Sequence, residues 1–204
     1  VFSRPVQDRL VVLHLMGSHG PSYYKRYPQP GRFSPTCNTN RIQSCDRQSL
    51  VNTYDNSIDY TSRVLAQVVD LAAAQAETID ISVLYISDLG ESLGERGVYL
   101  HGLPKWLAPS EQTAVPMLAW TSLGARRSLA LGGDGLANLA KSPLSHDHLF
   151  HSLLGYFQVE SGAYVEERDI FAATRALNAV GGHAGSGQAR ALPSRWPTHR
   201  GLDR

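Results

Sequence analysis

The sequence predicts an α/β fold of the doubly wound type, in which helices cover both faces of a mostly parallel sheet. Two apolar runs, at residues 10–16 and 79–86, have the length and composition of buried strands. An amphipathic segment with helical spacing lies between them, from about residue 49 to residue 76. Strand, helix and strand in this order are typical of α/β domains.

The first apolar run, residues 10–16, is nearly continuous, broken only by His14 and ended by Gly17. Such a run predicts a central parallel strand, because both faces of that kind of strand are buried. A hydrogen-bonded core residue is therefore the favoured interpretation of His14, ahead of a metal ligand. Residues 17–48 are rich in Pro, Gly, Ser and Asn, which predicts a long surface excursion.

The helix after this excursion is predicted from a stripe whose members recur at alternating spacings of four and three: Tyr54, Ile58, Thr61, Leu65, Val68 and Ala72. The second strand, residues 79–86, follows it, and a shorter third strand is predicted at residues 115–120. Ser145, His146 and Asp147 are suited to begin a further helix that runs through Leu154. Three strands are few for such a sheet and the first residue is Val1, so we expect an N-terminal part that precedes this sequence.

Composition limits the classes of function. The 204 residues are 42% hydrophobic and 18% charged, as in an ordinary globular protein. In residues 1–175 acidic side chains slightly outnumber basic ones, which argues against a nucleic-acid partner. No apolar run approaches the ~20 residues of a membrane span. Residues 176–204 combine four Arg and one Asp with Gly, Ala and Pro, and predict a disordered tail.

Cys37 and Cys45 are the two cysteines of the chain, and they lie in a polar segment. A disulfide between them requires an oxidising compartment and would contribute about 2.5 kcal/mol in the chain-entropy model. Two unpaired thiols in a cytosolic loop are the alternative. The spacing of the pair fits no common zinc motif.

Residues 87–114, between the second and third strands, show no internal periodicity, and loops of this length in compact domains are usually functional. The loop opens with Asp88 at the end of a buried strand and continues into a Gly-rich segment, where α/β enzymes place metal ligands and catalytic groups. A second polar cluster surrounds His101. Glu91 and Glu95 flank these positions, and solvated loop charges are their favoured interpretation.

Three further histidines lie together near the predicted last helix: His146, His148 and His151. Their spacing is compatible with zinc binding. A helix start with solvated histidines is the favoured interpretation.

Three segments together resemble the catalytic domain of the lipid A phosphoethanolamine transferases, the colistin-resistance type, which form a branch of the alkaline phosphatase and sulfatase superfamily. The segments are LHLMGSHGP with YYKRYP at residues 13–28, the Cys37–Cys45 loop with NTYDN at 52–56, and DLGESLGE, YLHGLP and VPML within 88–118. The similarity is nearly continuous from about residue 10 to residue 175. The cysteines lie in a matching segment, so we expect the Cys37–Cys45 disulfide.

The resemblance implies an alkaline phosphatase-like α/β/α sandwich, with residues 1–175 as the C-terminal part of the catalytic domain. The remaining strands and a membrane domain would be missing from this chain. It further implies a zinc enzyme at the periplasmic face of the inner membrane. Such an enzyme moves phosphoethanolamine from phosphatidylethanolamine to a lipid A phosphate through a phospho-threonine intermediate, and the threonine maps upstream of Val1.

Four positions map onto the site of this family. Asp88 maps to a zinc ligand, and a second ligand, a histidine in the family, is replaced here by Leu89. His19 and His101 map to histidines that face the phosphoethanolamine group or hold additional zinc. Carboxylate and imidazole are ligands that zinc accepts while a coordination position stays open for a reacting group.

Leu89 has no lone pair, so the expected zinc shell loses one ligand. We therefore expect the isolated chain not to catalyse phosphoethanolamine transfer. Two alternatives remain open from the sequence. One is a non-catalytic remnant of such an enzyme, and the other is a transferase that acts on a different envelope glycan.

Overall fold

The computed structural model describes residues 8–131 and 135–172. Besides short 3-10 turns, the α-helices bounded within these ranges are α1 (Arg47–Ala73), α2 (Ser110–Thr113), α3 (Leu123–Ser128), α4 (Gly135–Leu139) and α5 (Asp147–Tyr156). Four strands accompany them: β1 (Ser82–Ile86), β2 (Ser92–Leu93), β3 (Tyr99–Leu100) and β4 (Met117–Thr121). No helix among the described residues is long and apolar enough to cross a membrane. The tail predicted at residues 176–204 lies outside the described residues.

The predicted helix is present as α1, and its start is fixed by a side chain rather than by the apolar stripe. The carboxylate of Asp46 accepts hydrogen bonds from the backbone N–H of Ser49 at 2.9 Å and from its hydroxyl at 2.6 Å. This cap satisfies donors that the first turn of a helix otherwise leaves unpaired. The strands predicted at 79–86 and 115–120 are confirmed as β1 and β4, and α5 begins within two residues of the predicted position.

The first half of α1 buries polar side chains, which the apolar stripe did not predict. The amide of Asn56 bonds both the N–H and the carbonyl of Phe33, at 2.8 and 2.9 Å. The hydroxyl of Thr53 accepts the N–H of Cys37 at 2.7 Å. These bonds tie the 33–37 segment to the helix, whereas Ile58 of the predicted stripe is exposed.

The excursion at residues 17–48 is a folded layer around a small core. Tyr23, Cys37, Ile42 and Leu50 are buried together, and β2 and β3 supply partly buried side chains to the same cluster. Cys37 and Cys45 form a disulfide, with their Cα atoms 5.9 Å apart. This core connects the start of α1 to the loop between β1 and β4.

The pairing of the strands differs from the predicted parallel arrangement. β1 and β4 are antiparallel, with Ser82 opposite Thr121 and Ile86 opposite Met117. Parallel neighbours require a crossover, usually a full helix, on one face of the sheet. The connection between β1 and β4 contains only short elements. It leaves β1 after Ile86 and enters β4 at Met117, which lies opposite Ile86, so the two strands are antiparallel.

The prediction of a central strand at residues 10–16 is wrong for the described structure. The segment has no regular secondary structure, and its apolar side chains are exposed, with Val12 at 78%. A central strand needs hydrogen-bonding partners on both edges, and no described strand pairs with this segment. His14 is accordingly exposed and is not a core residue.

Reduction of the Cys37–Cys45 disulfide is expected to lower the free energy of unfolding by about 2.5 kcal/mol, because the unfolded chain regains the entropy of an open loop. Urea denaturation with and without dithiothreitol measures this difference. The double variant Cys37→Ala, Cys45→Ala is the control, and its free energy of unfolding should be the same with and without dithiothreitol. Equal stability of the oxidised and reduced wild-type chain would contradict the prediction.

Candidate active site

The loop that carries the predicted site begins where β1 ends. The backbone N–H of Ser87 bonds the carbonyl of Pro116 at 3.2 Å, which extends the β1–β4 ladder by one residue. The ring Nε2 of His146 donates to the Ser87 carbonyl at 2.8 Å. His146 is exposed at the start of α5, as predicted, and its ring also holds the end of β1. The solvated interpretation is wrong for His151, which is buried in the same helix. Asp88 follows with an exposed side chain, and Leu89 is half-buried.

Glu91 is buried, with 7% of its surface exposed, so its interpretation as a solvated loop charge is wrong. Its Oε1 accepts the backbone N–H of Gly20 at 2.8 Å, and its Oε2 accepts the hydroxyl of Tyr23 at 3.2 Å. The same Oε1 lies 3.1 Å from Nδ1 of His101, within ion-pair distance but outside hydrogen-bond geometry. One carboxylate therefore joins the segment that contains His19 to the segment that contains His101.

His19 and His101 are neighbours, with ring centroids 4.9 Å apart and the rings edge to face. Nδ1 of His19 lies 2.7 Å from the carbonyl of Gly20, so it is the donor nitrogen, and Nε2 keeps the lone pair in the neutral ring. The guanidinium of Arg26 also donates to the His19 carbonyl at 3.0 Å. Two residues predicted separately from the sequence thus form one pair, and a protonated imidazole in this pair would offer a free N–H to an anion.

The close approach of the two loops depends on Gly20. A Cβ at this position would lie 2.5 Å from a methyl group of Leu100 and 2.6 Å from the Tyr23 hydroxyl. Both distances are far inside van der Waals contact. A side chain here would push the Gly20 N–H away from Glu91.

The turn after Glu91 is fastened to α1. Oε2 of Glu95 accepts the N–H of Leu93 at 2.6 Å, and its Oε1 accepts the guanidinium of Arg47 at 3.1 Å. Glu95 is thus a positioning side chain for the β2–β3 turn. No local pattern indicates this contact, because Arg47 and Glu95 are far apart along the chain.

Burial raises the pKa of two tyrosines beneath the histidine pair. For Tyr54 the value is about 12, chiefly because desolvation disfavours the phenolate and secondly because Glu91 is negative. For Tyr23 desolvation also dominates, and the charge and hydrogen bond of Glu91 raise its pKa further. Tyr23 stands between the carboxylate and the core, so its phenol must stay neutral to donate its proton to Glu91.

Stability is expected to fall at alkaline pH because of these tyrosines. A phenol whose pKa is higher in the folded than in the unfolded state stabilises the fold below pH 10, and that contribution is lost as pH rises towards about 12. The free energy of unfolding, measured in urea from pH 8 upwards, checks this expectation. Tyr54→Phe should flatten the decline, and Tyr60→Phe, which changes an exposed ring, should leave it unchanged. A decline that Tyr54→Phe does not affect would contradict the assignment.

The described residues do not provide a complete zinc site. No group of three or more His, Cys, Asp or Glu side chains in the described ranges could hold a metal ion. Asp88 offers a carboxylate with an exposed side chain, but the adjacent Leu89 offers only hydrocarbon. Within this part of the chain, Asp88 and the His19–His101 pair are candidate groups, and a full zinc shell is not formed.

Comparison with known proteins decides the family. The sulfatase family profile matches residues 3–159. The chain belongs to the sulfatase family. As a sulfatase-family chain it is 43% identical to the phosphoethanolamine transferase EptA of Escherichia coli over 173 residues, which is 84% of this chain and 32% of EptA. The resemblance to phosphoethanolamine transferases is thereby confirmed.

Solved structures confirm the predicted fold class for this sulfatase-family chain. The soluble domain of lipooligosaccharide phosphoethanolamine transferase A from Neisseria meningitidis is 42% identical, with a TM-score of 0.74 over 78% of this chain and 48% of that one. The C-terminal periplasmic domain of phosphoethanolamine transferase EptC from Campylobacter jejuni is 45% identical, with a TM-score of 0.69 over 78% of this chain and 50% of that one. The chain spans about a third of the length of the curated relatives it matches.

Proposed function

We propose that residues 1–175 are the C-terminal part of the catalytic domain of a phosphoethanolamine transferase. The proposed reaction moves phosphoethanolamine from phosphatidylethanolamine to a lipid A phosphate at the periplasmic face of the inner membrane. The observation that carries the proposal is the contact between His19 and His101, with Glu91 of the same loop as His101 reaching both segments. A membrane domain that precedes this sequence belongs to the proposal.

The histidine pair suits a phosphodiester substrate. Imidazoles change charge near neutral pH, so they can donate hydrogen bonds to phosphate oxygens and supply a proton to a leaving group. In the proposed first step, the hydroxyl oxygen of a threonine in the preceding part of the protein bonds to phosphorus and its proton leaves to solvent. The bond from phosphorus to the glycerolipid oxygen breaks, and His19 or His101, in its protonated form, gives that oxygen a proton and is reprotonated from solvent. In the second step a lipid A phosphate oxygen bonds to phosphorus, the bond from phosphorus to the threonine oxygen breaks, and the threonine oxygen takes up a proton from solvent.

Zinc enters the proposal through Asp88 alone. The resemblance assigns this carboxylate to the metal. Its side chain is exposed at the end of β1, so it could bind a zinc ion together with ligands from the preceding part of the protein. Leu89 removes the neighbouring ligand that the family uses. The described residues therefore support zinc as a cofactor of the parent enzyme less completely than they support a phosphate-binding histidine pair.

A chimera tests the proposed function. In it, residues 1–172 with Leu89→His replace the matching part of Escherichia coli EptA. The purified chimera, incubated with labelled phosphatidylethanolamine, is expected to transfer label to lipid A, with a core oligosaccharide and a periplasmic glucan offered in parallel. Label on one of these other acceptors would reassign the acceptor. A folded chimera that labels none of them would contradict the function.

A non-catalytic remnant is the second candidate, and Leu89 is the observation that favours it. A leucine in place of a metal ligand is compatible with retained folding and lost turnover. The purified 204-residue chain is expected to release no diacylglycerol from a phosphatidylethanolamine analogue above a heat-denatured control. Turnover by this chain would contradict the hypothesis of a non-catalytic remnant. It would also contradict the expectation that catalysis requires residues upstream of Val1.

A further inference from the structure

Residues 102–107 form an exposed apolar projection next to the histidine pair. All six residues are exposed, with Trp106 at 82%, Leu107 at 54% and Leu103 at 40%. Single exposed apolar residues are normal on protein surfaces, but a run that includes a large aromatic side chain marks an interaction surface more often.

The projection has a defined shape. The N–H groups of Leu107 and Ala108 both bond the carbonyl of Pro104, at 2.8 and 2.9 Å. These bonds close a turn that places Lys105 and Trp106 at its tip. The tip is therefore a structured turn whose side chains point away from the core.

Both ends of the projection are fastened to the candidate active site. At its start, β3 pairs with β2, with Leu100 opposite Ser92. At its end, Gln112 in α2 accepts the N–H of Gly90 at 3.0 Å and donates its side-chain amide to Ser92 at 3.0 Å. His101 lies at the base of the projection. A surface that binds the tip would therefore lie at a fixed distance from the histidine pair.

The charge around the tip favours an anionic surface. Between Glu95 and Glu111 the sequence contains no acidic residue, and it contains Arg96 and Lys105. Tryptophan beside lysine is the combination that proteins place at the boundary between lipid headgroups and acyl chains. An apolar tip that carries Lys105 matches a bilayer that contains anionic phospholipids.

We propose that the 102–107 projection inserts Trp106 into the headgroup region of an anionic phospholipid bilayer and so brings the His19–His101 pair to lipid substrates. The choice of a bilayer over a protein partner rests on the proposed function, because its donor is a membrane lipid. Vesicle binding is measured in the absence of phosphoethanolamine transfer. A chain that binds vesicles but does not transfer would contradict the proposed function alone, and a chain that does not bind would contradict this proposal.

Quenching of Trp106 fluorescence is the test. The full 204-residue chain with Trp120→Phe and Trp196→Phe keeps Trp106 as its single tryptophan. It is mixed with vesicles of phosphatidylethanolamine and phosphatidylglycerol that carry bromine on the upper acyl chain. We expect a blue-shifted emission and strong quenching, both much weaker with vesicles of phosphatidylcholine. Emission that stays unshifted and unquenched on anionic vesicles would overturn the proposal.

Matched variants separate the projection from other exposed apolar groups. Trp106→Ser is expected to weaken vesicle binding about tenfold or more, through lost apolar burial. Lys105→Gln should weaken binding about fivefold, since one lysine near an anionic membrane contributes about 1 kcal/mol. Val12→Ser and Lys141→Gln change equally exposed residues elsewhere and should have little effect. Equal losses from Trp106→Ser and Val12→Ser would mean non-specific adhesion and would contradict the proposal.

Discussion

Leu89→His in the EptA chimera is expected to raise the rate of phosphoethanolamine transfer by more than about a hundredfold over the same chimera with leucine. Loss of a residue that only orients a metal ligand typically costs 10–100-fold in affinity or activity, and the proposed function assigns a ligand itself to position 89. Leu89 is half-buried and follows Asp88 directly at the end of β1, so an imidazole at this position would belong to the residue next to the carboxylate. Zinc content after dialysis and the transfer rate are the two measurements.

A histidine added elsewhere controls for the general effect of another imidazole. Leu123→His places it at an exposed position at the start of α3 and should change neither zinc content nor rate. If Leu89→His raised zinc content without raising the rate, the missing ligand would not be the cause of inactivity. If it raised neither, the assignment of position 89 to the zinc shell would be wrong.

Glu91→Ala is expected to lower the free energy of unfolding by about 3 kcal/mol. The substitution leaves the Gly20 N–H and the Tyr23 hydroxyl without their buried charged acceptor, and bonds to a charged group contribute roughly 1.5–3 kcal/mol each. Glu91→Gln keeps the volume and one acceptor oxygen, so it should cost about half as much. Urea denaturation of the 204-residue chain measures both variants.

The same substitution should also affect transfer, because Glu91 positions His101. In the Leu89→His chimera, Glu91→Ala is expected to reduce kcat about 10–100-fold with a smaller change in KM, since displacement of a catalytic group by about 1 Å can cost a hundredfold. Glu111→Ala removes an exposed carboxylate from the same loop and is the control. Equal effects of the two variants on stability and kcat would contradict the positioning role.

Local periodicity predicted those elements whose neighbours in space are also neighbours in sequence. The stripe from Tyr54 to Ala72 placed α1, and the apolar runs placed β1 and β4, because helix and strand spacing are properties of a short window. The run at residues 10–16 has an equally strong pattern and failed, because a central strand depends on partner strands that the described residues do not supply.

The candidate site was only partly predictable for the same reason. His19, Asp88 and His101 were found through motifs, but the buried role of Glu91 depends on a contact with Gly20, 71 residues away. His146 reaches the carbonyl of Ser87 across 59 residues, and no local pattern records such a contact. The sequence motifs identified residues whose side chains suit phosphate and metal chemistry. Which side chains position them depends on tertiary contacts between distant segments.

The mass spectrum of lipid A from cells tests the central claim most directly. An Escherichia coli strain without its own EptA would produce the chimera with either Leu89 or Leu89→His, at equal levels in the membrane. The account predicts lipid A that carries an added phosphoethanolamine with Leu89→His and unmodified lipid A with Leu89. Unmodified lipid A in both strains, with a folded chimera that binds zinc, would contradict the assignment of this chain to a lipid A phosphoethanolamine transferase.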